Sequence, residues 1–436
     1  MVTETRTVTI PHLGRVEGHG GIHVRLSGDR VSTVEMDIHE GSRYYEALLV
    51  GRGFLEVQGI ITRVCAICSA DHTVAALEAL EDALGVQVSD RTRLLRGLML
   101  RGAAVESHAL HVFALALPDF LGYGSVMEMA GTLPTEVTSA LRLKQLGNRI
   151  QTLVGGRAVH PVNAVVGGFG SLPAHQDLER LREELTVGLQ SALEFVELAR
   201  SVVIPTWATG ERVYVALKPA RGDYGFRGTS ICTSSGDEFP IAEYRRVARE
   251  YSVGHSHAKH ATLESGESFM VGALARLHLW GDHLQGRARQ AYEALFPEGP
   301  SENVLFNNWA QLVEIVHALE TAIEICGALI AMDEIAFETA DYEVRAGRGI
   351  AAVEVPRGTL FHEFELDDAG VVVAANVVTP TSQNLANTEL DLRRAAQCLL
   401  GSDAGGDIEL KLGLEMVVRA YDPCISCSVH VIRADF

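Results

Sequence analysis

Two cysteine pairs at opposite ends of the chain set the strongest constraint on its fold. The stretch RVCAICSADH places Cys65 and Cys68 three apart, and DPCISCSVHVIRADF does the same with Cys424 and Cys427, hard against the last residues. A CxxC turn points both sulfurs to one side, so each pair offers half of a four-thiolate cage. If the halves meet, the fold must carry the two extremities of a 436-residue chain to one point.

Ligand type alone leaves the metal open. Four thiolates suit zinc, an iron–sulfur cluster or nickel, and a structural zinc is the commonest use of such a set. Hundreds of residues between the pairs argue against a compact zinc knuckle. The neighbours argue against a purely structural ion. Asp422 puts an acid beside the terminal pair, and Pro423 stiffens its entry. Arg63 precedes the first pair, where it offsets thiolate charge or simply opens a helix. His72 lies four residues past Cys68, on the same helical face, in reach of that sulfur. Neither pair follows the strand-to-helix pattern of a thiol oxidoreductase. Cys232, Cys326 and Cys398 are scattered and read as small core or surface side chains.

A net charge of −19 with no basic patch excludes nucleic acid as a partner. No run of about 18 uncharged apolar residues is present, so no membrane span is expected. The opening MVTETRTVTIPHLGRVEGHG carries no apolar signal segment, which points to a cytoplasmic chain.

Residues 1 to about 60 alternate in short runs such as GIHVRLSG and TVEMDIHE, the pattern of a small antiparallel sheet. From about residue 69 the spacing becomes helical. RTRLLRGLMLRGAAVESHALHVFALAL reads as one long buried helix. PTEVTSALRLKQLGNRIQTLVG opens on Pro134, with Thr132 or Thr135 as a capping hydroxyl. Three further long segments, beginning near 176, 269 and 308, complete a helical bundle with small residues on its inner faces. Residues 201–260 are a mixed insertion. Strands return in GIAAVEV, TLFHEFEL and VVVAANVV, and a last helix around NTELDLRRAAQCLL precedes the terminal cysteines. The expectation is one α+β unit over 1–436: a central bundle of long helices with small peripheral β-sheets. It divides into an N-terminal β region (1–60), a mainly helical part (61–335) and a C-terminal mixed region (336–430).

The flanks of the cysteine pairs carry a resemblance. RxCxxCxxxH near the start and DPCxxCxxH near the end resemble the large subunit of a nickel–iron hydrogenase. RVEGHG (15–20), SRYYEAL (42–48), ESHALHVF (106–113), GGFGSLP (167–173), VPRGTL (355–360) and TPTSQN (379–384) extend the likeness along the whole chain.

That resemblance implies nickel bound by all four cysteines, with Cys65 and Cys424 terminal. Cys68 and Cys427 would bridge to an iron carrying carbon monoxide and cyanide. Heterolytic cleavage of H2 needs a base, and the resemblance implies Cys424 first and then Glu17 of RVEGHG. It implies Arg357 over the open coordination site, held by Asp119 and Asp422, and Thr381 after Pro380 as a hydroxyl toward cyanide. Glu46, the carbonyl of Val377 and His430 would hold magnesium. Residues 431–436 would be a propeptide removed by a maturation protease after metallochaperones load the site. Two departures from respiratory members, Ala66–Ile67 in the first loop and Gln383 in place of a tryptophan, leave every ligand in place.

No other cysteine motif and no GxGxxG in a strand–helix context is present. Iron–sulfur clusters, flavin and nicotinamide therefore fall to partners. The short chain and its cysteine loops look most like the alpha subunit of cytoplasmic, bidirectional NADP-linked hydrogenases, or sulfhydrogenases. These work with an iron–sulfur small subunit (delta-like) and flavin and iron–sulfur subunits (gamma- and beta-like). NAD- and coenzyme F420-linked enzymes are close alternatives, and a structural zinc scaffold is the alternative of a different class.

Overall fold

The computed structural model describes residues 5–219, 224–401 and 406–429. The chain opens with an antiparallel sheet of β1 (Thr5–Ile10), β2 (Gly20–Ser27) and β3 (Arg30–Ile38). Alternation places Val8, Ile10, Ile22, Val24, Met36 and Ile38 on its buried face. Two short helices follow, α1 (Tyr45–Leu49) and α2 (Phe54–Ile61), and then α3 (Ser69–Leu84), which Gly85 closes in the left-handed conformation.

α4 (Asp90–Ala109) starts on Ser89, whose hydroxyl accepts the Thr92 N–H. It does not run on as the single helix expected from sequence. Residues Leu110–Ala116 form a π-helical segment, and a separate turn, α5 (Leu117–Phe120), follows. Pro118 has no N–H, so an ordinary i→i−4 ladder cannot pass through it. Pro118 thus leaves the Ala114 carbonyl without its i+4 donor, and the neighbouring Leu115 carbonyl accepts from Arg15. After α6 (Val126–Thr132) comes α7 (Pro134–Gly155). Its N-cap is Leu133 with no side-chain bond, so neither Thr132 nor Thr135 caps it; Pro134 in the first turn needs no partner.

β4 (Ala164–Val165) and β5 (Gly168–Phe169) lead into α8 (His175–Arg200). β6 (Val213–Pro219), β7 (Gly228–Thr233) and β8 (Glu238–Pro240) follow. Beyond the turn α9 (Tyr244–Val247) lie β9 (Arg249–Tyr251), β10 (His260–Thr262) and β11 (Phe269–Met270). The insertion forms one sheet in the order β11-β6-β7-β8 and a β9–β10 ladder.

α10 (Ala273–Trp280) and α11 (Gly286–Leu295) precede α12 (Asn307–Ile330), which is buried throughout from Asn307 to Leu319. α4, α7, α8 and α12 form the central bundle. The α4–α7 crossing is close because both sides are glycine: a Cβ on Gly147 would lie 2.5 Å from the Glu106 nitrogen and 2.6 Å from the Gly102 carbonyl.

β12 (Glu338–Thr339) completes a small sheet with β5 and β4. The meander β13 (Gly347–Val355), β14 (Gly358–Leu366) and β15 (Val372–Val378) then runs into α13 (Pro380–Leu400). α13 begins well before the NTELDLRR segment. A second helix that the sequence reading missed, α14 (Asp407–Ala420), leads to the terminal turn α15 (Ile425–Ser428). The architecture is α+β, a helical bundle with small sheets around it. His430 and the 431–436 tail lie outside the described residues.

Candidate metal centre

The first cysteine loop is an interruption between helices. Cys65 leaves a 3-10 turn (Thr62–Val64) in extended conformation, and Cys68 is the N-cap of α3. The Cys68 N–H points to Cys65 Sγ at 3.4 Å. A sulfur at a helix N-terminus sits at the positive end of the dipole, yet the Cys68 thiol is raised: its bonds with Cys424 and Cys427 lower it, and the bond with Cys65, burial and the Cys65 charge outweigh them.

The second loop is assembled from distant parts. Asp422 adopts φ +49°, a left-handed conformation open to aspartate at some cost, and turns α14 toward Cys424. The Cys424 N–H donates to Thr381 Oγ1 at 3.0 Å, at the start of α13. The Ile425 N–H donates to the Glu17 carbonyl at 3.1 Å, and the Ser426 N–H to the Glu17 carboxylate at 3.0 Å. Glu17 thus forms a bridge of backbone pairing with Cys424. Gly18 explains RVEGHG: it has φ +88°, and a Cβ there would come within 2.7 Å of Ile425 Cβ.

The loops meet. All four sulfurs are buried and lie within 4.8 Å of one another. Cys65 and Cys424 are 3.1 Å apart, and Cys424 and Cys427 are 2.9 Å apart. Hydrogen bonds from Cys424, then Cys427 and Cys68, together with the Arg357 charge, hold the Cys65 thiol well below its ordinary range. Its bonds with Cys427, Cys65 and Cys68, and then burial, push Cys424 well up. Sulfurs this close cannot all carry negative charge unaided; holding four thiolates requires a cation.

Arg357 is one of the two residues in the β13–β14 turn, since Val355 pairs with Gly358. Its Nη1 donates to Ser107 Oγ at 2.9 Å and lies 3.3 Å from Cys68 Sγ. Nη2 and Nε donate to the Asp422 carboxylate (3.0 Å) and carbonyl (2.9 Å). Asp119 does not share this task. Its carboxylate is taken by Arg15 and by Arg419 at 2.7 Å, so it ties the N-terminal segment to α14. The other Asp422 oxygen accepts from Gln311, which in turn contacts His111 at 2.5 Å.

The family model described as nickel-dependent hydrogenase matches residues 43–139 and 305–430. Sulfhydrogenase 1 subunit alpha of Pyrococcus furiosus is 40% identical, with 98% of each chain covered. The chain belongs to the nickel-dependent hydrogenase family. Sulfhydrogenase 2 subunit alpha of the same organism is 35% identical over 98% of this chain and 99% of that one. Among solved structures, an NAD+-reducing NiFe-hydrogenase in the H2-reduced state superposes with TM-score 0.87 at 27% identity, covering 98% and 99% of the two chains. A NiFeSe-hydrogenase from Dm. baculatum (TM-score 0.81, 20% identity) shares the fold. This is thus a hydrogenase large subunit, an oxidoreductase of the nickel-dependent family.

The hydrogenase large subunit departs from the sequence reading at His72. Its Nε2 is 4.0 Å from Cys427 Sγ rather than on Cys68, and its Nδ1 meets His362 Nε2 at 3.0 Å. Burial lowers the His72 imidazole to about 4, so the ring is neutral. Glu46 on α1 is buried, and burial raises its carboxyl. One oxygen accepts the Val377 N–H at 2.8 Å; the other has no partner. That orphaned oxygen suits a cation.

Two functional features escaped the sequence. Asp71, in SADH, is fully buried three residues past Cys68, and neither carboxylate oxygen has a hydrogen-bond partner. Burial raises its carboxyl well above the ordinary range, with Arg357 pulling the other way. The second is a charged hub under the Arg357 turn. Buried Arg276 bonds Glu314 (2.6 and 2.7 Å) and Glu354 (2.7 Å), and its Nη1 and Nη2 donate to the carbonyls of Val355 and Pro356. His108 contacts Glu314 at 2.9 Å. An arginine inside ALARLHLW reads as a surface charge; only its far-off partners reveal it.

Proposed function

We propose that this chain catalyses the reversible heterolytic cleavage of H2 to protons and electrons, with the electrons exchanged with NADP(H) through partner subunits. The observation that carries the reading is the convergence of Cys65, Cys68, Cys424 and Cys427 beside a buried, fully engaged Arg357. These cysteines would hold nickel, with Cys68 and Cys427 shared with iron. When bound, the two metals supply a Lewis-acidic, redox-active centre, with carbon monoxide and cyanide on the iron.

The chain's own residues prepare that centre. The pocket beside the sulfurs is walled by Val355, Leu360, Pro380 and Thr381, which keeps water out. Thr381 already accepts from the Cys424 N–H, which leaves its hydroxyl proton for a further acceptor such as cyanide. Arg357 places a permanent positive charge at the cage, fixed by three donors to Asp422 and Ser107. The proton passes from the Cys424 sulfur to Glu17, which is half-buried and hydrogen-bonded to the Cys424–Cys427 loop. Glu46 and the Val377 carbonyl, with His430, would bind magnesium.

Cys232, Cys326 and Cys398 are dispersed over β7, α12 and α13, which supports electron exit through an iron–sulfur partner. Exposed Leu48, Leu55 and Val162 flank the first cysteine loop and suit that interface. The 159–162 loop packs there through His160, which bonds Thr62 and Ser69. The sulfhydrogenase relatives, named as alpha subunits, support further subunits and the NADP linkage, and the NAD+-reducing neighbour supports a nicotinamide as electron partner.

Infrared bands of metal-bound carbon monoxide and cyanide, with nickel and iron in the purified complex, are the expected results. Zinc as the sole metal would overturn the reading. In Glu17→Gln, proton–H2 exchange should drop at least about 100-fold, the scale of a lost general base, with both metals retained. Unchanged exchange would remove Glu17 from the proton path.

A further inference from the structure

A second cluster of ligating side chains lies where α13 passes the β9–β10 hairpin. We propose that His255, His260 and Glu389 form a binding site for a divalent cation of the zinc class. His255 lies in the β9–β10 connection, His260 opens β10, and Glu389 stands midway along α13. One ligand atom from each lies within 4.8 Å of the other two. His255 Nε2 is 2.7 Å and His260 Nε2 is 3.6 Å from Glu389 Oε1. Tetrahedral zinc with bonds of about 2.0–2.1 Å spaces its ligands about 3.4 Å apart, so shifts of under about 1 Å complete the shell.

The unusual member is His260. It is 1% exposed, and neither ring nitrogen has a hydrogen-bond partner. At 3.6 Å its Nε2 is too far from Glu389 for a hydrogen bond. A neutral imidazole always carries one N–H and one lone pair, and burying both unused costs about 1–3 kcal/mol. A cation at Nε2 takes the lone pair and fixes the proton on Nδ1. Glu389 is already aimed, because its Oε1 accepts the Met36 N–H at 2.9 Å. In the metal-free arrangement His255 donates to the same oxygen, holding the place of the ion.

Ligand chemistry narrows the occupant. Two imidazoles and one carboxylate suit zinc, whereas magnesium and calcium take oxygen sets. The site is separate from the sulfur cage and from Glu46. Glu389 stands eight residues along α13 from Thr381, about 12 Å at 1.5 Å per residue. The ion would clamp the β9–β10 loop and β3 to the helix whose first turn walls the nickel pocket. Its role is to fasten the β9–β10 loop to α13, away from the reacting atoms.

The test uses the assembled, nickel-loaded complex, dialysed against micromolar Zn2+ and then against buffer. Zinc, nickel and iron are counted together, and zinc-edge anomalous scattering locates the ion. About one zinc per chain, beside His260 and Glu389, is expected in the parent, falling to below about a tenth in His255→Ala and Glu389→Gln. Nickel, iron and H2 oxidation should be unchanged. His255 is partly exposed, so its truncation tolerates folding; Glu389→Gln, which keeps an acceptor for Met36, gives an independent readout. No zinc in the parent, or equal zinc in parent and both variants, overturns the proposal. Absence of nickel and iron from the parent complex would strike the catalytic reading, whereas zinc missing from the His260–Glu389 position in the anomalous map would overturn this one.

Discussion

The two cysteine loops have one spacing and two constructions. Cys65–Cys68 is carried by its own neighbourhood: a 3-10 turn on one side and the first turn of α3 on the other. Cys424–Cys427 is carried by strangers. Its backbone is fastened by Glu17 from the N-terminal segment, by Thr381 of α13 and by the Arg357 turn holding Asp422. The first loop has its shape once a local helix forms. The second has no shape until the N-terminal segment, the β13–β14 turn and α13 have closed around it. The second loop therefore depends on long-range closure of the chain far more than the first does.

As ligands the loops should be equal, and the largest effects test that equality. Cys68→Ser and Cys427→Ser each remove a soft ligand, and both should reduce nickel content and H2 oxidation to background. A variant of either loop that kept full nickel and activity would break the four-sulfur cage itself.

As folding units they should differ. Gly18→Ala forces a methyl against Ile425 at a backbone angle of +88°, which should cost about 1–3 kcal/mol. Amide exchange in the metal-free chain should quicken at 425–427 and stay unchanged at 69–72. Equal change in both loops would show that they form as one unit.

This division also explains what was legible beforehand. The first loop could be read directly, because RVCAICSADH contains both its ligands and its helix. For the second, Glu17 and Thr381 were named by resemblance, yet their backbone duties could not be. Nothing in TPTSQN says that Thr381 caps the Cys424 amide. Asp119 and His72 failed in the same way: the residue was singled out, and its partner was set by packing among helices distant in sequence. The bundle was legible from helical periodicity. α14 was not, because Ile408 and Leu412 are exposed and blur its apolar stripe. The π segment was hidden because residues 110–116 are apolar apart from His111, so no period distinguishes α from π. Arg276 was hidden because a buried arginine is recognisable only by its carboxylates.

The last effect, no larger than that of Gly18→Ala, is the sharpest probe of how the second loop is held. Thr381→Val keeps the shape of the side chain and removes the acceptor for the Cys424 N–H, leaving a buried donor unpaired. The cost should be about 1–3 kcal/mol in denaturant unfolding of the metal-free chain. Thr381→Ser should restore most of it, because the hydroxyl returns without the methyl. The first loop has no bond to Thr381 and should show no change in amide exchange at His72, whose N–H stays on the Cys68 carbonyl at 3.0 Å. A loss of stability that serine does not rescue would place the role of Thr381 in packing against Pro380 and the pocket wall. The second loop would then depend on shape at α13, with Glu17 and the Arg357–Asp422 pair holding it by hydrogen bonds.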